Sequence, residues 1–266
     1  MGSKLKYISS KLLKTRIVLR DPRLARHVPS TEPFTKENLA AALRRDGMVY
    51  VKPDHGSLGV GVMKVERLEA GYRLHSGVKA STFPTIRGLQ QSLLKRIGTK
   101  PYLVQQGIRV LRYEGRPFDF RVMIQKNPAG RWECTGIAAR VAHPGKAVTN
   151  GSQGGTIFTP STLLLPAAGR HKTDRLLRHM KRLAALTAAV FSRTYPAMHE
   201  LGLDIAVDRR LKPWVLEVNT RPDPCPFTKL EDRTLVKKIV AYGQAYGRRY
   251  CLNCTKARKA PPKSRP

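Results

Sequence analysis

Three oxygen-bearing side chains, Asp204, Glu217 and Asn219, have the types and spacing of a hard-metal site. Side chains alternate across a strand, so Glu217 and Asn219 in WVLEVN share one face. Asp204 in LDIAVD reaches the same face if the two segments pair through a turn at 208–213. Carboxylate and amide oxygens suit magnesium, which keeps several waters and also binds phosphate oxygens. The bland alternative is a solvated hairpin carrying ordinary acids. Against it, Leu203, Ile205, Val215, Leu216 and Val218 make both strands apolar, and an acid in such a strand is costly unless paired or metal-bound.

A second chemical centre lies upstream, where Lys52 ends the strand MVYVK immediately before the loop PDHGSLGVG. Backbone N–H groups of Gly56, Ser57, Leu58 and Gly59 beside a lysine ammonium can cradle phosphate, and His55 inside the loop is a further phosphate contact. VMKV follows, so the loop joins strand to strand and is neither a Walker nor a Rossmann phosphate loop. Arg121 in FDFRVMI and Arg140 in IAARV sit inside apolar strands, which favours a site over an exposed strand position.

These residues need elements to hold them. Thr35 can cap a helix over TKENLAAALRRDG that ends at Gly47. The Lys52 strand at 48–52, a short strand at 71–76 and a helix at 85–97 complete a first α+β lobe. Strands at 102–106, 118–125, 132–141 and 156–158 begin a second. A long helix near 173–195 places Leu176, Met180, Leu183, Val190 and Phe191 on one stripe. Strands at 203–208 and 214–219 carry the three oxygen ligands, and Thr228 with Glu231 reads as a capping box opening a helix to about Tyr246. Near the start, Lys4, Lys6, Lys11, Lys14, Arg16 and Arg20 accompany Leu5, Ile8, Leu12 and Leu13, predicting a basic helix of about three turns. The expected units are a basic helical segment over 1–33, a small lobe with the glycine loop over 34–104, a large lobe with the magnesium site over 105–250, and a basic disordered tail over 251–266.

Of 266 residues, 50 are Lys or Arg and 18 are Asp or Glu, a formal charge of +32, while 41% are hydrophobic. Apolar clusters exclude a disordered polycation. No apolar run approaches the roughly 20 residues of a membrane span, and lysines interrupt any signal-peptide core, so the expectation is a soluble cytoplasmic protein. The charge selects polyanionic partners. An acidic peptide or protein substrate is favoured over nucleic acid, since no aromatic-rich strand motif or zinc finger accompanies the basic segments. Cys134, Cys225, Cys251 and Cys254 do not form a disulfide framework, so Cys251 and Cys254 are expected as reduced thiols in a reducing compartment.

In order, VKPDHGSLGVGVMKV, YLVQQGI, FDFRVMI, NGSQGG, LGLDIAV and WVLEVNTRPD resemble the ATP-grasp ligases, and within them the YheC/YheD-like branch described as endospore coat-associated. FDFRV and N-x-x-x-G-G add a looser likeness to the glutamate-ligase type that extends protein tails. The resemblance covers about residues 10–245 and implies an α+β ATP-grasp fold, with ATP bound between two α+β lobes. The N-terminal pre-ATP-grasp domain is expected to be largely absent, since only about 45 residues precede the Lys52 strand. By this resemblance Lys52 and the loop from Gly56 to Gly61, including Ser57 and Gly59, hold the phosphates, joined by Lys14 or else Lys11. Gln105, Gln106 and Ile108 belong to the adenine hinge, where Gln106 replaces the glutamate of many relatives. Asp204, Glu217 and Asn219 are implied to bind Mg2+. Arg121, Arg140 and Asn150 are implied to act at the γ-phosphate and acceptor, with Gly154, Gly155 and Arg221 at the substrate. Gly202 stands where ligases making D-alanyl dipeptides carry an arginine, so the oxyanion donor falls to Arg140 or Arg121.

The implied chemistry is transfer of phosphate from ATP to a carboxylate, then attack of an amine or thiol on the acylphosphate, releasing ADP and phosphate. Such catalysis rests on positioning and on cations that neutralise phosphate charge. A cleft without the N-terminal domain has one open edge, which suits a polypeptide acceptor or a partner completing the acceptor site. The competing expectation is a coat-associated structural protein that binds nucleotide without turnover, located in the spore coat of a spore-forming bacterium.

Overall fold

The computed structural model describes residues 7–57, 59–143, 155–254 and 257–261. Ser10 accepts from the Leu13 amide and caps α1 (Lys11–Val18), and Asp21 with Pro22 opens α2 (Pro22–Ala25). Among the described residues the predicted basic helix is thus 8 residues long and begins at Lys11. Lys11 and Lys14 are both buried.

The first sheet runs β1 (Thr31–Pro33), β6 (Tyr102–Gln106), β2 (Met48–Pro53), β3 (Met63–Arg67), β4 (Tyr72–Ser76) and β5 (Lys79–Phe83), every neighbouring pair antiparallel. It packs against α3 (Lys36–Asp46), capped by Thr35 as expected, and α4 (Ile86–Ile97), whose Leu89, Leu93 and Ile97 recur every fourth residue and are buried. Strand β5 has no counterpart in the sequence reading. KASTF carries little apolar alternation, and pairing to β4 supplies its order.

The second sheet runs β12 (Pro213–Asn219), β11 (Glu200–Val207), β8 (Arg116–Lys126), β9 (Trp132–Val141), β10 (Thr156–Phe158) and β13 (Arg258–Lys259), with the short β7 (Arg112–Tyr113) pairing β8. One face of this sheet, carrying Phe118, Phe120, Val122, Leu203 and Ile205, buries itself under α5 (Pro160–Thr194) and α1. Helix α5 starts earlier than the apolar stripe indicated, and Gly169, at φ 69, breaks it ahead of the predicted portion.

On the opposite face the alternation of β8 brings out Asp119, Arg121, Met123 and Gln125 in one row. Met123, with Ala138 and Ile157, packs under α6 (Arg233–Ala245) and Phe227, and the Gln125 amide donates to the Ile239 carbonyl at 3.0 Å. Asp119 and Arg121 look into the cleft between the sheets.

Three further expectations are corrected near the C-terminus. Helix α6 is capped by Asp232 and follows a separate 3-10 turn at Cys225–Lys229, so Thr228 and Glu231 form no capping box; Thr228 bonds the Cys225 carbonyl instead. The tail is not wholly without structure, because β13 adds to β10 in parallel. Cys254 is not a reduced thiol. It is disulfide-bonded to Cys225, and Cys134 and Cys251 are the free cysteines. A separation of 29 residues with no motif around it left no signal in the sequence.

Candidate functional site

A cavity of about 570 Å³ lies between the sheets. Tyr50, Lys52 and Gln105 line it from the first; Asp119, Arg121, Arg140, Asp204 and Glu217 line it from the second. Strand register creates the second wall. Asp204 pairs with Glu217 across β11 and β12, Gly202 pairs with Asn219, and Arg121 pairs with Asp204 across β8 and β11. The three expected metal ligands therefore share one face, as their spacing predicted.

Asp204 is held by two guanidinium groups. Arg121 Nε donates to Asp204 Oδ1 at 2.7 Å, and Arg140 Nη2 lies 3.1 Å from the same oxygen. Burial alone would raise the Asp204 pKa, but Arg121 and Arg140 outweigh it and bring it down to about 2. Arg140 also forms two parallel bonds to Asp119, Nε to Oδ1 and Nη2 to Oδ2, both 2.7 Å. Burial opposes its charge, and Asp119 with Asp204 more than restores it, so its pKa is raised.

The lysines come from two directions. Lys52 Nζ donates to Gln105 Oε1 at 2.8 Å, and burial draws its pKa down to about 8 despite Glu217 nearby. Helix α1 adds Lys14, whose Nζ reaches Glu217 Oε1 at 3.4 Å, and Lys11, whose Nζ donates to the Gly56 carbonyl at 2.7 Å. Burial lowers the Lys14 pKa as well, Glu217 opposing it. Five cations, Lys11, Lys14, Lys52, Arg121 and Arg140, thus meet three carboxylates, Asp119, Asp204 and Glu217, leaving a surplus of positive charge suited to a polyphosphate.

The glycine loop is rooted by Asp54, which accepts from Ser10 Oγ and the Leu12 amide, each at 2.8 Å. Gly56 and Gly59 line the cavity with Ser57, and their φ values of 111 and 71 are open to glycine and strained for other residues. Leu58 lies outside the described residues.

The remaining expected site residues divide. Ile108 and Gln106 line the cavity, the Gln106 amide bonding Asp46 Oδ1 at 3.3 Å. Gln105 also lines the cavity, and its side chain is engaged by other residues. It bridges Lys52, Thr31 Oγ1 at 2.9 Å and the Leu216 carbonyl at 3.3 Å. Arg221 lines the cavity and is exposed. Gly155 is not among the lining residues, and its carbonyl accepts from the Arg258 amide at 3.0 Å. His55 bonds Ser9 Oγ at 3.0 Å and does not line the cavity. Asn150 and Gly154 lie outside the described residues.

Two residues escaped the sequence reading. Asp119, in FDFRV, is as unusual inside an apolar strand as Arg121 and could have been found by the same argument. Asp54 looks in sequence like any turn aspartate, and only its bonds to α1 reveal it.

A sequence model described as YheC/D like ATP-grasp matches residues 6–249. The chain belongs to the YheC/D-like ATP-grasp family. Two curated relatives of this ATP-grasp chain come from Bacillus subtilis (strain 168). Endospore coat-associated protein YheD is 30% identical over 224 residues, 80% of this chain and 48% of YheD. Endospore coat-associated protein YheC is 23% identical over 201 residues, 74% of this chain and 55% of YheC. The ATP-grasp chain therefore spans about half the length of these relatives. Its α+β character is that of the family, with two sheets enclosing the cleft. Among the described residues, no helix is long and apolar enough to cross a membrane.

The donor set at this face is of the hard-oxygen kind that magnesium takes. Asp204 is held ionised, Glu217 stands opposite it, and Asn219 shares their face; a hard cation would take its Oδ1, while the unpartnered buried Nδ2 is an N–H donor and no metal ligand. Among the described residues no group of three or more His, Cys, Asp and Glu is arranged to hold a metal ion, so the set has two carboxylates and one amide. Hard oxygens in this set fit magnesium.

Proposed function

We propose that this chain is a magnesium- and ATP-dependent carboxylate–amine ligase that releases ADP and phosphate, with an acidic peptide or protein as substrate; a thiol acceptor follows the same scheme. The observation that carries the reading is the register Arg121–Asp204–Glu217 facing Lys52 across one cavity, which puts metal-type carboxylates and phosphate-type cations together. Magnesium held by Asp204, Glu217 and Asn219 would supply positive charge to phosphate oxygens.

The chain's own residues do the rest. Lys52, kept in place by Gln105, and Lys14 or Lys11 meet phosphate charge, and the glycine loop brings backbone close to it. A substrate carboxylate oxygen attacks the γ-phosphorus and ADP leaves. An amine nitrogen then attacks the acyl carbon, and phosphate leaves as the amide forms. In this reading Arg140 and Arg121, held by Asp119 and Asp204, stabilise oxyanion charge in that second step. The net positive charge favours an acidic substrate.

The test is ADP and phosphate release with magnesium and ATP, alone and with pooled amino acids or acidic peptides, product masses being read beside Glu217→Gln. Substrate-dependent ADP with a product lighter than its parts by one water, both lost in the variant, is the expected result. Tight ATP binding with no turnover in any pool would replace this reading by that of a nucleotide-binding coat-associated protein. Cytoplasmic or coat location would be read by fractionating cells.

A further inference from the structure

Cys225 and Cys254 are joined by a disulfide, and both line the cavity. The bond holds the last described stretch of chain against the cleft. That stretch leaves a firm anchor at Tyr250, whose ring packs so closely on Gly243 that a Cβ there would meet it at 2.3 Å, and whose hydroxyl donates to the buried Glu200. Beyond it Cys251, Leu252 and Asn253 are exposed, Cys254 is tied to Cys225, and Asn253 and Ala257 form part of the cavity wall. Strand β13 then pairs with β10 through Arg258 N to the Gly155 carbonyl at 3.0 Å and Ala260 N to the Ile157 carbonyl at 3.2 Å. Arg258 and Lys259 expose their side chains, and Ala257 and Ala260 are the partly buried apolar residues beside them, so the described residues of this stretch bury little apolar surface and the disulfide is their covalent tie to the cleft wall.

We propose that the Cys225–Cys254 bond is a thiol-operated strap across one end of the cleft, closed when the bond is intact and released by thiol–disulfide exchange. That the strapped cleft is a catalytic one rests on the ligase reading; the strap itself does not. The chain supplies its own attacking group, for Cys251 is free and exposed three residues before Cys254. Its thiolate attacks Cys254 Sγ, a Cys251–Cys254 bond forms, the Cys225–Cys254 bond breaks, and Cys225 leaves as the thiolate. The proton given up by Cys251 is balanced by the one Cys225 takes up, and no electrons enter or leave. The new bond closes within the tail and no longer ties it to the cleft wall. An external dithiol achieves the same release, becoming a disulfide while Cys225 and Cys254 become thiols.

Disulfide mapping and limited trypsin cleavage of the full chain test this, before and after dithiothreitol, with Cys254→Ser and Cys251→Ser alongside. Protein purified without reductant and alkylated is expected to give a peptide pair linking Cys225 to Cys254. Reduction is expected to speed cleavage after Arg258 about tenfold, since cleavage follows the population of the released tail. Cys254→Ser is cleaved at the fast rate with or without reductant, and Cys225→Ser reports the same should that variant fail to fold. Cys251→Ser keeps the link and its response to dithiothreitol, but forms no internal bond on standing at alkaline pH, whereas the parent chain does. Alkylation of Cys225 and Cys254 as free thiols, or one cleavage rate in both states, would overturn the strap. ADP release read on the same samples separates the two ideas. Turnover absent in every state counts against the ligase reading alone, while turnover equal in strapped and released protein overturns control of the cleft.

Discussion

Arg121 Cδ stands 3.4 Å from the point that a Cβ at Gly202 would occupy. Arg121 comes from β8, yet it fills the space above β11 where related peptide ligases were expected to place an arginine of their own. The guanidinium reaches Asp204 from the neighbouring strand, and Gly202 is the gap that lets it through. A Cβ at Gly202 would also lie 2.6 Å from Pro222 Cβ. Gly202→Ala is therefore expected to cost about 1–3 kcal/mol through overpacking, read as a lower thermal midpoint, and Gly202→Arg to lose more. A Gly202→Arg protein as stable as the parent would contradict this packing.

The doubly bonded Asp119–Arg140 pair makes a second expectation. Asp119→Ala leaves a buried guanidinium short of its main partner, and should destabilise by about 3–5 kcal/mol in urea unfolding. Replacing both members, Asp119→Leu with Arg140→Met, should recover most of that loss while leaving ADP release abolished. Recovery of turnover with the double variant would show that Arg140 acts only in packing.

Lys52 sets a pH dependence. Its pKa falls to about 8 on folding, so the folded chain sheds this proton well before the unfolded chain does, and above that pH the unfolded state binds more protons. This group therefore raises folding stability as pH rises through 8, while phosphate binding, which needs the ammonium, weakens. ATP affinity should fall by up to about tenfold per pH unit above 8, and Lys52→Arg should flatten that decline. Equilibrium dialysis from pH 7 to pH 9.5 reads both profiles, and identical slopes would remove Lys52 from the phosphates.

Asp204 sets the acid limb. Its folded pKa, about 2, lies below the unfolded value of 3.8, so its contribution is fully present above about pH 4 and is lost as pH falls toward 2. Acid unfolding followed by circular dichroism should be shallower across that window in Asp204→Asn than in the parent chain.

Much of this site was legible because strands are periodic. Glu217 and Asn219 could be put on one face by counting in twos, and Asp204 could be added because apolar neighbours forced the hairpin. The glycine loop was legible from its glycines, α3 from its cap and α4 from its apolar spacing. Residues whose role depends on contacts distant in sequence were not. That Lys11 bonds the Gly56 carbonyl, that Lys14 meets Glu217 and that Gln105 holds Lys52 follow only from the packing of segments far apart in sequence. The Thr228 capping box satisfied a local rule, yet Asp232 sits nearer the first turn of α6 and takes the cap. Cys225 and Cys254 obeyed no local rule at all.

Helix α1 has a consequence for how the protein comes into being. Lys14 meets Glu217 across 203 residues, and the Ile8 amide donates to Thr220 Oγ1 across 212. Chains emerge from the ribosome N-terminus first, and contacts between distant segments wait for both to be made. The first sheet can assemble early, with its glycine loop already rooted to α1 through Asp54, while Lys14 remains without its carboxylate until β12 has been synthesised. The cavity between the sheets is thus among the last features of the nascent chain to be completed, and a chain stalled before residue 217 would hold only part of its wall.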